Sequence, residues 1–231
     1  RSQQFLDWKE PSFPPIKLSD DYRPADISWC FARNRFLTEL PDFANLGEAS
    51  IMSSFARECT ALATVTLPDL SKATAIDNAF NSCSALTTAT LGSMVKTVSA
   101  QGVFHDCRAL GSVTLDFTGG EMTNISYLFN QCNRLEIVTG VIDLSRVTDT
   151  GSAFAGCVSL REVRLKGLKV DLVLFDCVNL SVESVKYLVD NLQQSTGKSI
   201  TLPRAWQQAH EAEAKSYAQI AATKGFALTF R

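Results

Sequence analysis

The side chains with most chemistry to offer are seven cysteines and two histidines in a chain of 231 residues. A thiolate can ligate a metal, attack an electrophile or pair with a second thiol. The odd number rules out complete internal pairing. Zinc sites recruit closely spaced pairs and need tetrahedral convergence. Here Cys59, Cys83, Cys107, Cys132, Cys157 and Cys177 follow one another at steps of 24, 24, 25, 25 and 20, with Cys30 ahead of them. Such a step belongs to a repeat, and like positions of stacked copies point the same way. The expectation is a column of buried free thiols acting as small hydrophobes, with no metal and no cofactor. His105 stands where other copies carry Asn81, Asn130 and Ala155, which reads as surface filler. His210 lies among Gln208, Glu211 and Glu213, which reads as a solvated helix face. No nucleophile, base and orienting group suggest themselves together, and there is no phosphate-binding loop, dinucleotide fingerprint or His-Glu-x-x-His. The chain is read as not an enzyme.

The remaining patterned chemistry is a row of hydroxyls. Around a recurring Val position the outward residues are Glu39 and Pro41, Thr64 and Thr66, Thr88 and Thr90, Ser112 and Thr114, Ile137 and Thr139, Glu162 and Arg164. Threonine suits a strand with one wet face for reasons of propensity alone. The same row also offers a hydroxyl-rich binding surface built from Thr66, Thr90, Thr114 and Thr139, with Glu162 and Arg164 supplying charge at one end. No aromatic anchor accompanies it.

The elements that must position these residues are copies of one unit, Phe-x-x-Cys-x-x-Leu-x-x-Val-x-Leu. Phe31, Phe55, Phe80, Phe104, Phe129, Phe154 and Phe175 form one column, and Leu37, Leu62, Leu86, Leu110, Leu135, Leu160 and Leu180 another. A third runs Leu40, Val65, Ala89, Val113, Val138, Val163, and a fourth Leu67, Leu91, Leu115, Gly140, Leu165. Asn34 replaces Cys in the first copy, and the second reads as having an extra residue between Phe55 and Cys59. The fifth carries an insertion across Thr139 to Leu144, and the last is short. Val65-Thr66-Leu67 and its kin alternate as half-buried strands do, and are too short to stand alone, so they must join in a parallel sheet. Ile51, Ile76, Ala100, Ile125 and Thr150 recur on the other side of each copy and predict a single helical or 3₁₀ turn there.

The ends differ. Pro11, Pro14, Pro15 and Pro24 make residues 1–28 an extended segment, either a cap using Phe5, Trp8, Phe13 and Ile16 or a linker. Residues 29–180 hold the repeats. Residues 181–231 read as helix, strand, helix, strand: Ser181 as N-cap, Ile200-Thr201-Leu202 as a strand, one helix from Pro203 to about Thr223, and a strand over Phe226–Phe230. A net charge of −2 gives no electrostatic footprint for nucleic acid, and no apolar run nears the ~20 residues that span a bilayer. No leader is visible at Arg1-Ser2-Gln3-Gln4. A monomer is favoured. The glycosylation matches at Asn124 and Asn179 flank core positions and read as accidental.

The segments Ala79-Phe80-Asn81-Ser82-Cys83-Ser84-Ala85-Leu86 and Ala153-Phe154-Ala155-Gly156-Cys157-Val158-Ser159-Leu160 resemble the BspA-like leucine-rich repeats of bacterial surface proteins. The resemblance covers roughly residues 31–180, and the tail also looks like the ending of such proteins. It implies an α/β fold: a leucine-rich-repeat, right-handed solenoid with short parallel strands on one face, helical or 3₁₀ turns on the other, and an α/β C-terminal cap. It also implies a cell-surface or extracellular, non-catalytic recognition or adhesion module with a protein or glycan ligand. A structural spacer or stalk in a surface assembly is the alternative. The copies run 24 or 25 residues, longer than usual for the family, and its frequent proline after the strand survives only at Pro68.

Overall fold

The computed structural model describes residues 25–40, 48–67, 69–117 and 120–231. The prolines and aromatics of the expected N-terminal segment, and Pro41 and Pro68, lie outside these. Of that segment Ile27 is described. It is buried, and its N–H donates to Ile51 in the next copy.

Alternation of apolar and polar residues builds the front of the molecule. β1 (Thr64–Leu67), β2 (Thr88–Leu91), β3 (Ser112–Leu115) and β4 (Ile137–Thr139) form a parallel sheet in that order. The register is strict: Thr66 pairs Thr90, Thr90 pairs Thr114, and Thr114 pairs Thr139. Val65, Leu67, Val113 and Leu115 turn inward and are buried, as the period of two requires.

The back departs from the expected helical turn. Among the described residues no α-helix precedes Val182. Instead, alternate N–H groups bond within the turn and to the next copy. Ala79, Asn81 and Cys83 donate to Ile76, Asn78 and Phe80, whereas Ile76, Asn78, Phe80 and Ser82 donate to Ser99, Gln101, Val103 and His105. This needs a left-handed residue one and five places before the cysteine position of each copy from Asn34 to Cys157. Asn78 and Ser82, Gly102 and Asp106, Tyr127 and Gln131, and Ser152 and Gly156 all have φ between +52° and +78°. The expectation of a helix rested on apolar spacing, which a run of turns satisfies equally well.

Phe80, Phe104 and Phe129 pile face to face, with ring centroids 5.9 and 5.7 Å apart. The second copy has no extra residue. Ala56, not Phe55, occupies the backbone position of Phe80, because Ala56 donates to Ala79 as Phe80 does to Val103. Its pair is written Phe-Ala where two other copies, at 79–80 and 153–154, have Ala-Phe. The Phe55 ring still reaches the row, edge-on to Phe31 at 5.2 Å and to Phe80 at 6.3 Å. The same shift leaves Ile51 exposed and puts Met52 in the core.

Two further column assignments are corrected. Phe175 is 45% exposed, and Leu174 fills its place in the core. Gly140 is not in the fourth inward column: β5 (Ile142–Asp143) supplies Ile142, which pairs Leu165 of β6 (Leu165–Lys166). The insertion is a two-residue bulge, and it splits the front into two sheets.

After the sixth copy β7 (Leu172–Val173) leads to α1 (Val182–Asp190), which takes the place of a further front strand. Ser181 caps it, accepting the Ser184 N–H. Ser181 N–H continues the front ladder to the Arg161 carbonyl, and the Ser184 hydroxyl accepts the Val163 N–H that a strand would otherwise take. β8 (Lys198–Leu202) and β9 (Phe226–Phe230) extend β7 into a three-stranded parallel sheet. Between them the single expected helix is two, α2 (Arg204–Ala209) and α3 (Glu211–Thr223), broken at His210 with φ −135° and ψ 52°. Trp206 is buried and donates its indole N–H to the Leu180 carbonyl at 2.8 Å. His210 therefore does not sit on a solvated face. It is half-buried, with its ring 5.0 Å from that of Trp206.

Candidate recognition site

All seven cysteines are free thiols. Those from Cys59 on each donate to a carbonyl of the preceding copy: Cys59 to Phe31, Cys83 to Ala56, Cys107 to Phe80, Cys132 to Phe104 and Cys157 to Phe129 at 3.0 to 3.2 Å, and Cys177 to Phe154 at 3.9 Å. Burial pushes Cys59 and Cys177 up to about 12, and Cys83, Cys107, Cys132 and Cys157 well above the ordinary value. A buried thiol held protonated is a poor nucleophile and a poor ligand. Among the described residues no group of three or more His, Cys, Asp or Glu is placed to hold a metal ion. Asn124 is tied into its own turn, its side-chain oxygen accepting the Ser126 N–H and hydroxyl.

The front face carries the candidate ladder. Thr66, Thr114 and Thr139 are exposed and Thr90 is half-buried. None of these four hydroxyls is bonded within the described part of the protein, so their hydrogen-bonding capacity is unspent. The companion ladder runs Thr64, Thr88, Ser112, Ile137 and, through an isolated bridge, Glu162.

At its C-terminal end the face deepens into a cleft of about 630 Å³. The floor is Ile137, Thr139 and Gly140 from one copy with Glu162 and Arg164 from the next; the wall is the start of α1, with Glu183 and Tyr187. The structure thus brings together three of the six expected residues, Thr139, Glu162 and Arg164. It leaves Thr66, Thr90 and Thr114 along the approach. The bulge makes the cleft possible. The Ile137–Glu162 bridge is followed by no further rung until Ile142 meets Leu165. Gly140, at φ +100°, presses on the Leu115 carbonyl so closely that a Cβ would stand 2.0 Å from that oxygen.

Charge in and around the cleft is unevenly matched. Arg161 pairs Glu136 at 3.0 Å, Lys166 pairs Asp143 at 3.1 Å, and Lys186 pairs Asp190 on α1. Arg164 lies over the Tyr187 ring, 5.8 Å from its centroid. Glu162 and Glu183 have no cation within ion-pair distance among the described residues. Sequence reading missed Glu183 and Tyr187. Their signal was available, since both lie off the Val182, Val185, Leu188, Val189 stripe of α1 and so face away from the core.

Among the described residues no helix is long and apolar enough to cross a membrane. No curated protein compared with the chain matches it. The family model for the BspA type leucine rich repeat region matches residues 30–161 in six copies, more than half the chain and the same stretch that forms the stacked turns. The chain belongs to the BspA-type leucine-rich repeat family.

Proposed function

We propose that this chain is a non-catalytic recognition module, displayed at a cell surface, whose front face binds a protein partner. The observation that carries the reading is the continuity of that face: a ladder of unspent threonine hydroxyls running into a cleft that gathers Thr139, Glu162 and Arg164. Repeats of this family suggest protein interaction and are generally non-catalytic, which supports it. We take the molecule as a right-handed solenoid of repeats over 29–180, closed at its C-terminal end by an α/β cap over 181–231. The Ser184 hydroxyl on the Val163 N–H supports the capping role, since it blunts an edge that would otherwise pair with another strand.

The test is a binding screen of the intact chain against arrayed extracellular proteins and glycans. The Thr90→Arg/Thr114→Arg double variant should abolish any protein binding found, and Val178→Arg, at an exposed position elsewhere, should leave it intact. Binding unaffected by the double variant overturns the reading. So does an array with no ligand at sub-millimolar affinity, which favours a spacer.

A further inference from the structure

Resting on that reading, we propose that the cleft between the last front strands and α1 receives a lysine or arginine side chain of the protein partner. Counting matched charges gives the sign. Arg161, Lys166 and Lys186 around the cleft are each held by a carboxylate of their own. Arg164, the remaining cation in the cleft, has one face on Tyr187 and pairs with neither glutamate. Three charges of the cleft therefore lack an ion-pair partner, Glu162 on the floor, Glu183 on the wall and Arg164, and the balance among them is one negative charge. The helix start is already partly occupied, its Ser184 N–H by the Ser181 side chain and its first turn by the carboxylate of Glu183. Ser181 Oγ accepts the Ser184 N–H, and Ser184 Oγ accepts from Val163.

Shape agrees with charge. Ile137 offers an apolar floor on which the methylene stem of a long basic side chain can lie, and the two carboxylates meet its head. The outer edge of the Arg164 guanidinium, free of ion pairs, can donate to the partner's backbone carbonyl. Tyr187 fixes Arg164, so the cation already present is kept from collapsing onto either glutamate.

The experiment uses the intact chain and three blocked peptides of equal length: glycine-serine sequences carrying three lysines, three glutamates or neither. Binding is followed by amide and tyrosine NMR shifts. The lysine peptide should move the resonances of Ile137, Glu162, Glu183 and Tyr187. Each of E162Q and E183Q should weaken binding severalfold and the pair about tenfold, and added salt should weaken it further. The E162K/E183K double variant should reverse the preference toward the glutamate peptide, with far-ultraviolet circular dichroism confirming the fold. The proposal is overturned if the neutral or acidic peptide binds as well as the lysine peptide. It is equally overturned if the lysine peptide's shifts survive both glutamine substitutions or E121Q, at an exposed glutamate outside the cleft lining, weakens it as much. These outcomes are separable from failure of the wider reading. A protein partner lost on Thr90→Arg/Thr114→Arg but indifferent to E162Q/E183Q sinks the charge assignment and leaves the front face standing.

Discussion

A carbonyl selects cysteine at the end of each turn. The Phe80 oxygen accepts the Cys83 N–H of its own copy and the Cys107 thiol of the next. An alanine there would leave that lone pair unmet in the core, where unmet polar groups are costly. In the first copy the position is Asn34, whose side-chain oxygen instead accepts the Phe36 and Leu37 N–H groups. Two measurements follow at this scale. Unfolded thiols ionise near 9.0, whereas folded Cys59 and Cys177 keep their protons to about 12. Above pH 9 the unfolded chain binds fewer protons than the folded one, so stability falls as pH rises, by about 1.4 kcal/mol per pH unit for each buried thiol. Urea midpoints should change little between about pH 6 and pH 8 and drop steeply from pH 9 upward, and Cys107→Ala should make the drop shallower. A flat alkaline limb is the contrary result. Second, Phe104→Ala should cost roughly 3–5 kcal/mol, whereas Thr114→Ala should be near neutral by the same denaturation assay. A large loss at Thr114 means the faces are inverted.

Each element is a turn and a strand that close only against a neighbour. The back turns hold Asn78, Tyr127, Ser152 and their equivalents in left-handed conformations, each at a cost of roughly 1–2 kcal/mol that inter-copy hydrogen bonds offset. Ser152 is exposed, so Ser152→Gly should raise the thermal midpoint, with a gain of up to about 1 kcal/mol. Gly140→Ala is the opposite case: with the Leu115 oxygen in the way, a loss of at least about 2 kcal/mol is expected. It should also disturb the NMR shifts of Glu162 and Arg164, because the bulge shapes the cleft. The leucine, valine and cysteine columns were legible because nearly every copy puts the same kind of side chain at the same place, Asn34 being the exception in the cysteine column. Phe175, Gly140 and Ile51 were misplaced for a common reason. Pattern matching follows residue type, whereas the core follows backbone position, and Leu174, Ile142 and Met52 hold those positions. The break at His210 carries no glycine or proline, so nothing in the chain announced it. The cleft was half legible: its floor lies in the repeats, but its wall comes from the non-repeating helix α1.

For the whole molecule, contacts run from each copy to the next, so stability is a chain of neighbour terms and the ends matter most. Truncation after Leu180 removes the Ser184 hydroxyl from Val163, and Trp206 from the Leu180 carbonyl. The truncated chain should aggregate or unfold, seen as sedimenting oligomers and loss of the native circular dichroism spectrum. A truncated chain that stays monomeric and melts near the intact one would show that α1 and the β8–β9 unit close nothing. The Phe55-Ala56 exchange carries a lesson for how such chains drift. The benzyl group stayed in its pile although its Cα moved one place along, since the two residues together still fill the same space. Letters aligned by type register that as a gained residue; by volume nothing was gained or lost. Divergence between copies, counted as spelling, will therefore overstate how far their interiors have moved apart.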